Sequence, residues 1–167
     1  MKKIASILVF TFMVVGASFG QGYRVPRNYS FESKDSYHKY DKDIIRFANW
    51  IEKVVPGEDK DYVRQGSRFF YEWLTGCNYV QFKPNVRIDG MLADHPEFKL
   101  YYQAGWARYA LKNAGAKKED CSYAGLKLVL KVYLENRAMF KDKNLDELAK
   151  YDDEDRLKNW IKQKFEQ

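Results

Sequence analysis

What most constrains this chain is the spacing of its apolar residues from Asp41 onward, which recurs every three to four positions and not every second one. Ile44, Phe47, Ala48, Ile51 and Val55 form one such stripe, and Tyr62, Gly66, Phe69, Phe70, Trp73 and Leu74 form another. That period gathers apolar groups on one side of a helix, whereas half-buried strands would alternate. Local signals bound the segments. Asp41 stands where an N-cap belongs, Pro56-Gly57 stops the first helix, and Gly76 falls at the position of a C′ glycine.

The pattern continues to the C-terminus. Residues 86–93 predict a short helix. A longer one is expected from Pro96, capped by Asp94 or His95, through Phe98, Tyr102, Trp106 and Tyr109 to residues 114–115. Leu100, Ala104, Ala107 and Leu111 fall on its other side, so it is apolar nearly all round and predicted to be central. Gly105 within it would cost about 1 kcal/mol relative to Ala, which predicts a close approach of another helix there. Asp120 or Ser122 opens a helix with Leu126, Val129, Leu130, Val132 and Tyr133. Asn144 caps a short turn over 145–150, and the acidic run 152–155 leads a last helix with Leu157, Trp160 and Ile161. Tyr79 to Phe82 is the one stretch suited to an extended conformation, and it is too short and solitary to imply a sheet. The expected fold is a single all-α bundle of five to six helices over residues 41–167. Residues 21–40, polar and dotted with aromatics around Pro26, are expected to be an extended or flexible segment.

Residues 1–20 have a different character. Lys2 and Lys3 precede an apolar run over 4–15, and small residues follow, so cleavage is expected after Ala17 or Gly20. This is the pattern of a secretory signal peptide, and it predicts a periplasmic or secreted protein. The run is shorter than the roughly 20 residues a bilayer span needs, and no other segment approaches that length, so no membrane span is expected in the mature chain. Of 167 residues, 147 would remain after cleavage at Gly20, enough for one domain with a sizeable core. The formal charge is +6, but Lys2 and Lys3 leave with the leader, and the remaining charges of both signs are interleaved. That balance argues against nucleic acid as a partner, since a binder concentrates its cations on one face.

Export also changes the meaning of Cys77 and Cys121, the only cysteines. In an oxidising compartment they are candidates for one disulfide, which would contribute roughly 3–4 kcal/mol. Two separately buried thiols are the alternative. Metal ligation has little support: His38 and His95 lack ligand spacing, and Asp152, Asp153 and Asp155 lack the glycine and distal Glu of a calcium loop. No metal or cofactor is expected. Cys121 with His95 is the only thiol–base pair conceivable, and no nucleophile elbow, phosphate loop or zinc-protease helix occurs. Glu52, Glu72 and Glu97, on helices near aromatic residues, are the carboxylates to inspect for glycan hydrolysis.

Aromatic content, 17% of the chain, is the most unusual feature. Phe47, Phe69, Phe70, Phe98, Trp73 and Trp106 sit on expected core stripes. Tyr71 falls opposite its stripe, and Trp50, Tyr101 and Trp160 lie near stripe edges, which makes these four the candidate binding residues.

Phe70-x-x-Trp73-Leu74-Thr75-Gly76, the run Gly105 to Leu111, Ala124-Gly125-Leu126 and Lys143-Asn144-Leu145 resemble a family of exported, helical, uncharacterised proteins of Bacteroidetes-type bacteria. The resemblance spans most of the chain from Asp41 and implies export and an all-helical fold, without implying an activity or catalytic residues. Cys77 after Thr75-Gly76 departs from the family pattern, so the resemblance lends the disulfide no support. Three functions are expected in order: a binding module for an envelope protein, peptide or glycan; a hydrolase using unmarked carboxylates; and a carrier holding a small apolar ligand between the faces of 98–111 and 123–134.

Overall fold

The computed structural model describes residues 23–151 and 154–165, so the expected signal peptide lies outside the described residues, as do Asp152, Asp153 and the side chain of Asp155. The described chain is helical, with no strand in it. The helices are α1 (Lys34–His38), α2 (Asp41–Ile51), α3 (Asp61–Gly76), α4 (Val86–Met91), α5 (Phe98–Lys112), α6 (Lys118–Glu135), α7 (Lys143–Ala149) and α8 (Glu154–Phe165). Five run for eleven residues or more, and α1, α4 and α7 are short pieces of five to seven that sequence periodicity resolves poorly. No described helix is long and apolar enough to cross a membrane.

The stripes become the core. Ile44, Phe47, Ala48 and Ile51 of α2 are fully buried, as are Phe69, Phe70 and Trp73 of α3. Helix α5 is central: α2 packs on one side of it and α6 on another, and α7 and α8 then pack on α6. Gly105 explains how closely α5 and α6 approach. A Cβ there would sit 2.9 Å from the Ala124 carbonyl oxygen and 3.0 Å from the Gly125 Cα, and one on Gly125 would meet the Tyr102 carbonyl oxygen at 2.6 Å. Buried tyrosines satisfy their hydroxyls within this core. Tyr102 donates to Ser122 Oγ at 2.9 Å, and its phenol is pushed up to about 12 by burial.

Several expected boundaries shift, each for a local reason. Asp41 is the first helical residue of α2 and not its cap; its carboxylate accepts from the Tyr79 hydroxyl and faces His38 at 3.2 Å. Helix α2 ends at Ile51, leaving Val55 exposed before Gly57 turns the chain at φ 78°. Glu97 precedes α5, Lys117 precedes α6, and Asp142 caps α7 in place of Asn144 by accepting from the Asn144 and Leu145 amides. Gly76 is the last residue of α3 and not a left-handed C′ residue. A side chain there would collide with the Tyr37 hydroxyl, so its smallness, not its backbone freedom, is what the fold uses.

Residues 23–40 are packed, and α1 lies within them. Tyr23 is buried edge-on to Phe47 at 5.3 Å and donates to the Asp43 carbonyl. Tyr29 meets Phe69 at 4.8 Å, and Phe31 stacks on Tyr37 at 4.7 Å. The aromatics that dot this segment lay it against α2 and α3.

No disulfide joins the two cysteines in this structure. Cys77 and Cys121 are two free, buried thiols. Burial raises both, Cys121 to about 11, and the Cys77 sulfur accepts from the Val80 amide. They behave as the small hydrophobes of the alternative reading.

Candidate functional site

The four candidate aromatics separate into different environments. Tyr101 is a core residue, 2% exposed, with its hydroxyl donating to the Val54 carbonyl at 2.9 Å. It is removed from the candidate surface because α5 is enclosed on more sides than a stripe edge suggests. Trp50 is half-buried among Tyr23, Phe47 and Tyr62, sealing the junction of α2 with the N-terminal segment. Tyr71 and Trp160 both reach surface depressions, but different ones.

Tyr71, 39% exposed, lies in a wide-open depression of about 700 Å³ shared with Tyr29, Phe31, Tyr37 and Glu72. Its Glu72 carboxylate is already engaged, accepting from the Tyr29 hydroxyl and the Arg68 guanidinium, each at 2.7 Å. Those hydrogen bonds hold Glu72 below the ordinary carboxylate range.

Trp160 lines a more enclosed cleft of about 550 Å³ between α4, α7 and α8, a size typical of small-ligand sites. Each wall follows from its helix. Asn85 caps α4 by accepting from the Arg87 and Ile88 amides at 3.0 and 3.2 Å, and fully buried Ile88 anchors it. Arg87 and Met91, one turn apart, then share the face toward the cleft. Asp142 caps α7, Leu145 and Leu148 bury its inner side, and Asn144, Glu147, Leu148 and Tyr151 follow the i, i+3, i+4, i+7 spacing along the cleft. Leu157 and Ile161 fix α8 on the core and leave Trp160 half-buried at its edge. Arg156 lies over the Tyr151 ring at 5.1 Å.

Neither the Arg87 guanidinium nor the Glu147 carboxylate has an ion-pair or hydrogen-bond partner among the described residues, and they do not pair with each other although both line the cleft. Gly90 of α4 also borders it, and a Cβ there meets nothing within 4 Å. Arg87, Met91, Glu147 and Tyr151 were not among the sequence candidates. Only Trp160, at its stripe edge, pointed here.

The catalytic candidates are otherwise engaged. Burial pushes Glu52 up, but the Arg108 hydrogen bond at 2.7 Å and the nearby Lys131 outweigh it and leave the carboxyl below its ordinary value. Arg108 also donates to Asn49 at 2.9 Å, so this cluster clamps α2 to α5 and α6. A general acid for glycan hydrolysis needs a raised carboxyl, the opposite of Glu52 and Glu72. Glu97 faces His95 at 3.4 Å, and the His95 ring packs edge-on to Phe98 and Phe140. Cys121 borders a gap of about 230 Å³, and its raised pKa disfavours the thiolate a nucleophile needs. Among the described residues no three His, Cys, Asp or Glu side chains converge as a metal site.

No protein-family model matches the chain, and neither a curated protein nor a solved structure does.

Proposed function

We propose that this protein is an exported binding module of the cell envelope, and that the cleft between α4, α7 and α8 is its ligand site. The observation that carries the reading is the unpaired Arg87 and Glu147 beside the aromatic wall of Trp160 and Tyr151 in one cleft. Apolar walls with a few convergent polar groups are the usual make-up of a small-ligand site. The leader-like sequence over 1–20 and the resemblance to exported helical proteins support the location. The hydrolase reading draws no support from Glu52 and Glu72, whose carboxyls are lowered. The carrier reading draws none from α5 and α6, whose apolar faces close on each other at Gly105 and Gly125.

The test is ligand-observed NMR on the mature protein with peptide and glycan fractions of an envelope digest. Binding to wild type is expected from at least one fraction. Gly90→Phe, which fills the cleft from a position with open space above it, abolishes that binding while the thermal transition is kept. Tyr71→Ala leaves binding unchanged. Binding that survives Gly90→Phe, or fails with every fraction, overturns the proposal.

A further inference from the structure

Among the described residues, the cleft lining carries one unpaired cation and one unpaired anion, on different helices, which asks for a ligand of matching polarity. Arg87 stands on α4 and Glu147 on α7, both are exposed, and no ion pair joins them. The two opposite charges line one cleft without pairing, so a ligand that carries both signs can answer both. A guanidinium presents a planar fork that matches a carboxylate in two parallel hydrogen bonds. A carboxylate on the facing wall matches an ammonium. Met91, Leu148 and Trp160 line the same cleft and offer apolar, polarisable surface to a side chain.

We infer that the cleft binds a short peptide with both termini free, its carboxylate on Arg87, its ammonium on Glu147 and an apolar side chain against Trp160. A neutral glycan would use the Trp160 face but leave both charges unanswered. A simple anion or cation would answer one and be opposed by the other. The volume of about 550 Å³ also exceeds what an isolated ion needs, which favours a ligand with a body between its charges.

This inference rests on the cleft being the ligand site, and the experiment separates the two. Calorimetric titration of the mature protein would use Ala-X-Ala tripeptides, X being Leu, Ile, Val, Phe or Met, with free termini, N-acetylated, C-amidated, or both. Free peptides are expected to bind, and each single block to weaken binding about tenfold, the scale of one charge-assisted contact. Arg87→Gln should weaken the free peptide about as much and make C-amidation cost nothing further, while Glu147→Gln does the same for N-acetylation. Both side chains are without partners among the described residues, so neither change should move the thermal transition. Blocked peptides binding as tightly as free ones would overturn the inference, as would a free amino acid binding as tightly as the tripeptides. A neutral glycan that binds in a Gly90→Phe-sensitive way, with no peptide binding, would sink the peptide but keep the cleft. Peptide binding untouched by Gly90→Phe would sink both.

Discussion

Between α5 and α6 two backbones meet, while between α4, α7 and α8 they stay apart and leave a cleft. The first region is built from two long helices, apolar nearly all round, whose glycines interlock at Gly105 and Gly125. The second is built largely from one- and two-turn helices, held by the side-chain caps Asn85 and Asp142 and by a few buried leucines and isoleucines. Long helices with continuous apolar faces exclude everything but each other. Short capped helices cover less of the core, and their outward faces keep charges, Arg87 and Glu147, that are unpaired among the described residues. On the proposed reading, stability and recognition fall to different parts of one small domain.

The sharpest way to break this division is to add a methyl group at the seam. Gly125→Ala places a Cβ against the Tyr102 backbone and ring, where relief requires the helices to part, and should cost about 3 kcal/mol. Chemical denaturation reads the loss, and peptide affinity measured on the protein that remains folded should be unchanged. If the affinity fell with the stability, the two regions would not be independent.

A smaller effect belongs to the clamp between α2, α5 and α6. Glu52→Gln should cost about 1–2 kcal/mol at neutral pH by weakening the hydrogen bonds from Arg108 and Lys131. Because the folded Glu52 carboxyl lies below its ordinary value of 4.5, the unfolded chain takes up its proton first as pH falls. The contribution is fully present above that ordinary value and disappears as pH drops through the lowered one. Thermal transitions measured across this range should fall more steeply for wild type than for Glu52→Gln. Parallel acid limbs would mean that the clamp contributes nothing.

The frame of the cleft responds differently. Asp142→Ala removes the α7 cap and should cost about 1 kcal/mol, reduced by the loss of a buried carboxylate oxygen that has no partner. Unlike the seam variant, it should weaken ligand binding by loosening Glu147, and Asp142→Ser should restore both. The smallest effect expected is none. Reductant should leave the thermal transition unmoved, because Cys77 and Cys121 are separate thiols, and a thiol titration should find both only after unfolding. A reductant-dependent transition would show a crosslink.

Sequence and structure agree best where one helix explains itself. The stripe from Ile44 to Ile51 and the central place of the helix carrying Gly105 follow from periodicity, since burial there is decided by neighbours three and four positions away. Tyr101 shows the limit: on a helical wheel it sits near an edge, and only the other helices around α5 determine that the edge is covered. The packing of Tyr23 and Phe31 was hidden because an aperiodic segment gives no face to read. The cleft was hidden for a related reason. Arg87, Glu147 and Trp160 come from three helices far apart along the chain, and nothing in their spacing announces that they meet.

The turn between α5 and α6, residues 113–117 with Gly115 at φ 75°, carries a consequence in time. Helices joined by so short a turn meet with little loss of chain entropy, so this hairpin is suited to form early. Glu52 must instead find Arg108 and Lys131 across 56 and 79 positions, a late event. A defect at the two seam glycines should then slow folding, whereas a defect at the clamp should hasten unfolding. On this reasoning the interior glycines should set how fast the protein forms, and an ion pair near its surface should help set how long it lasts.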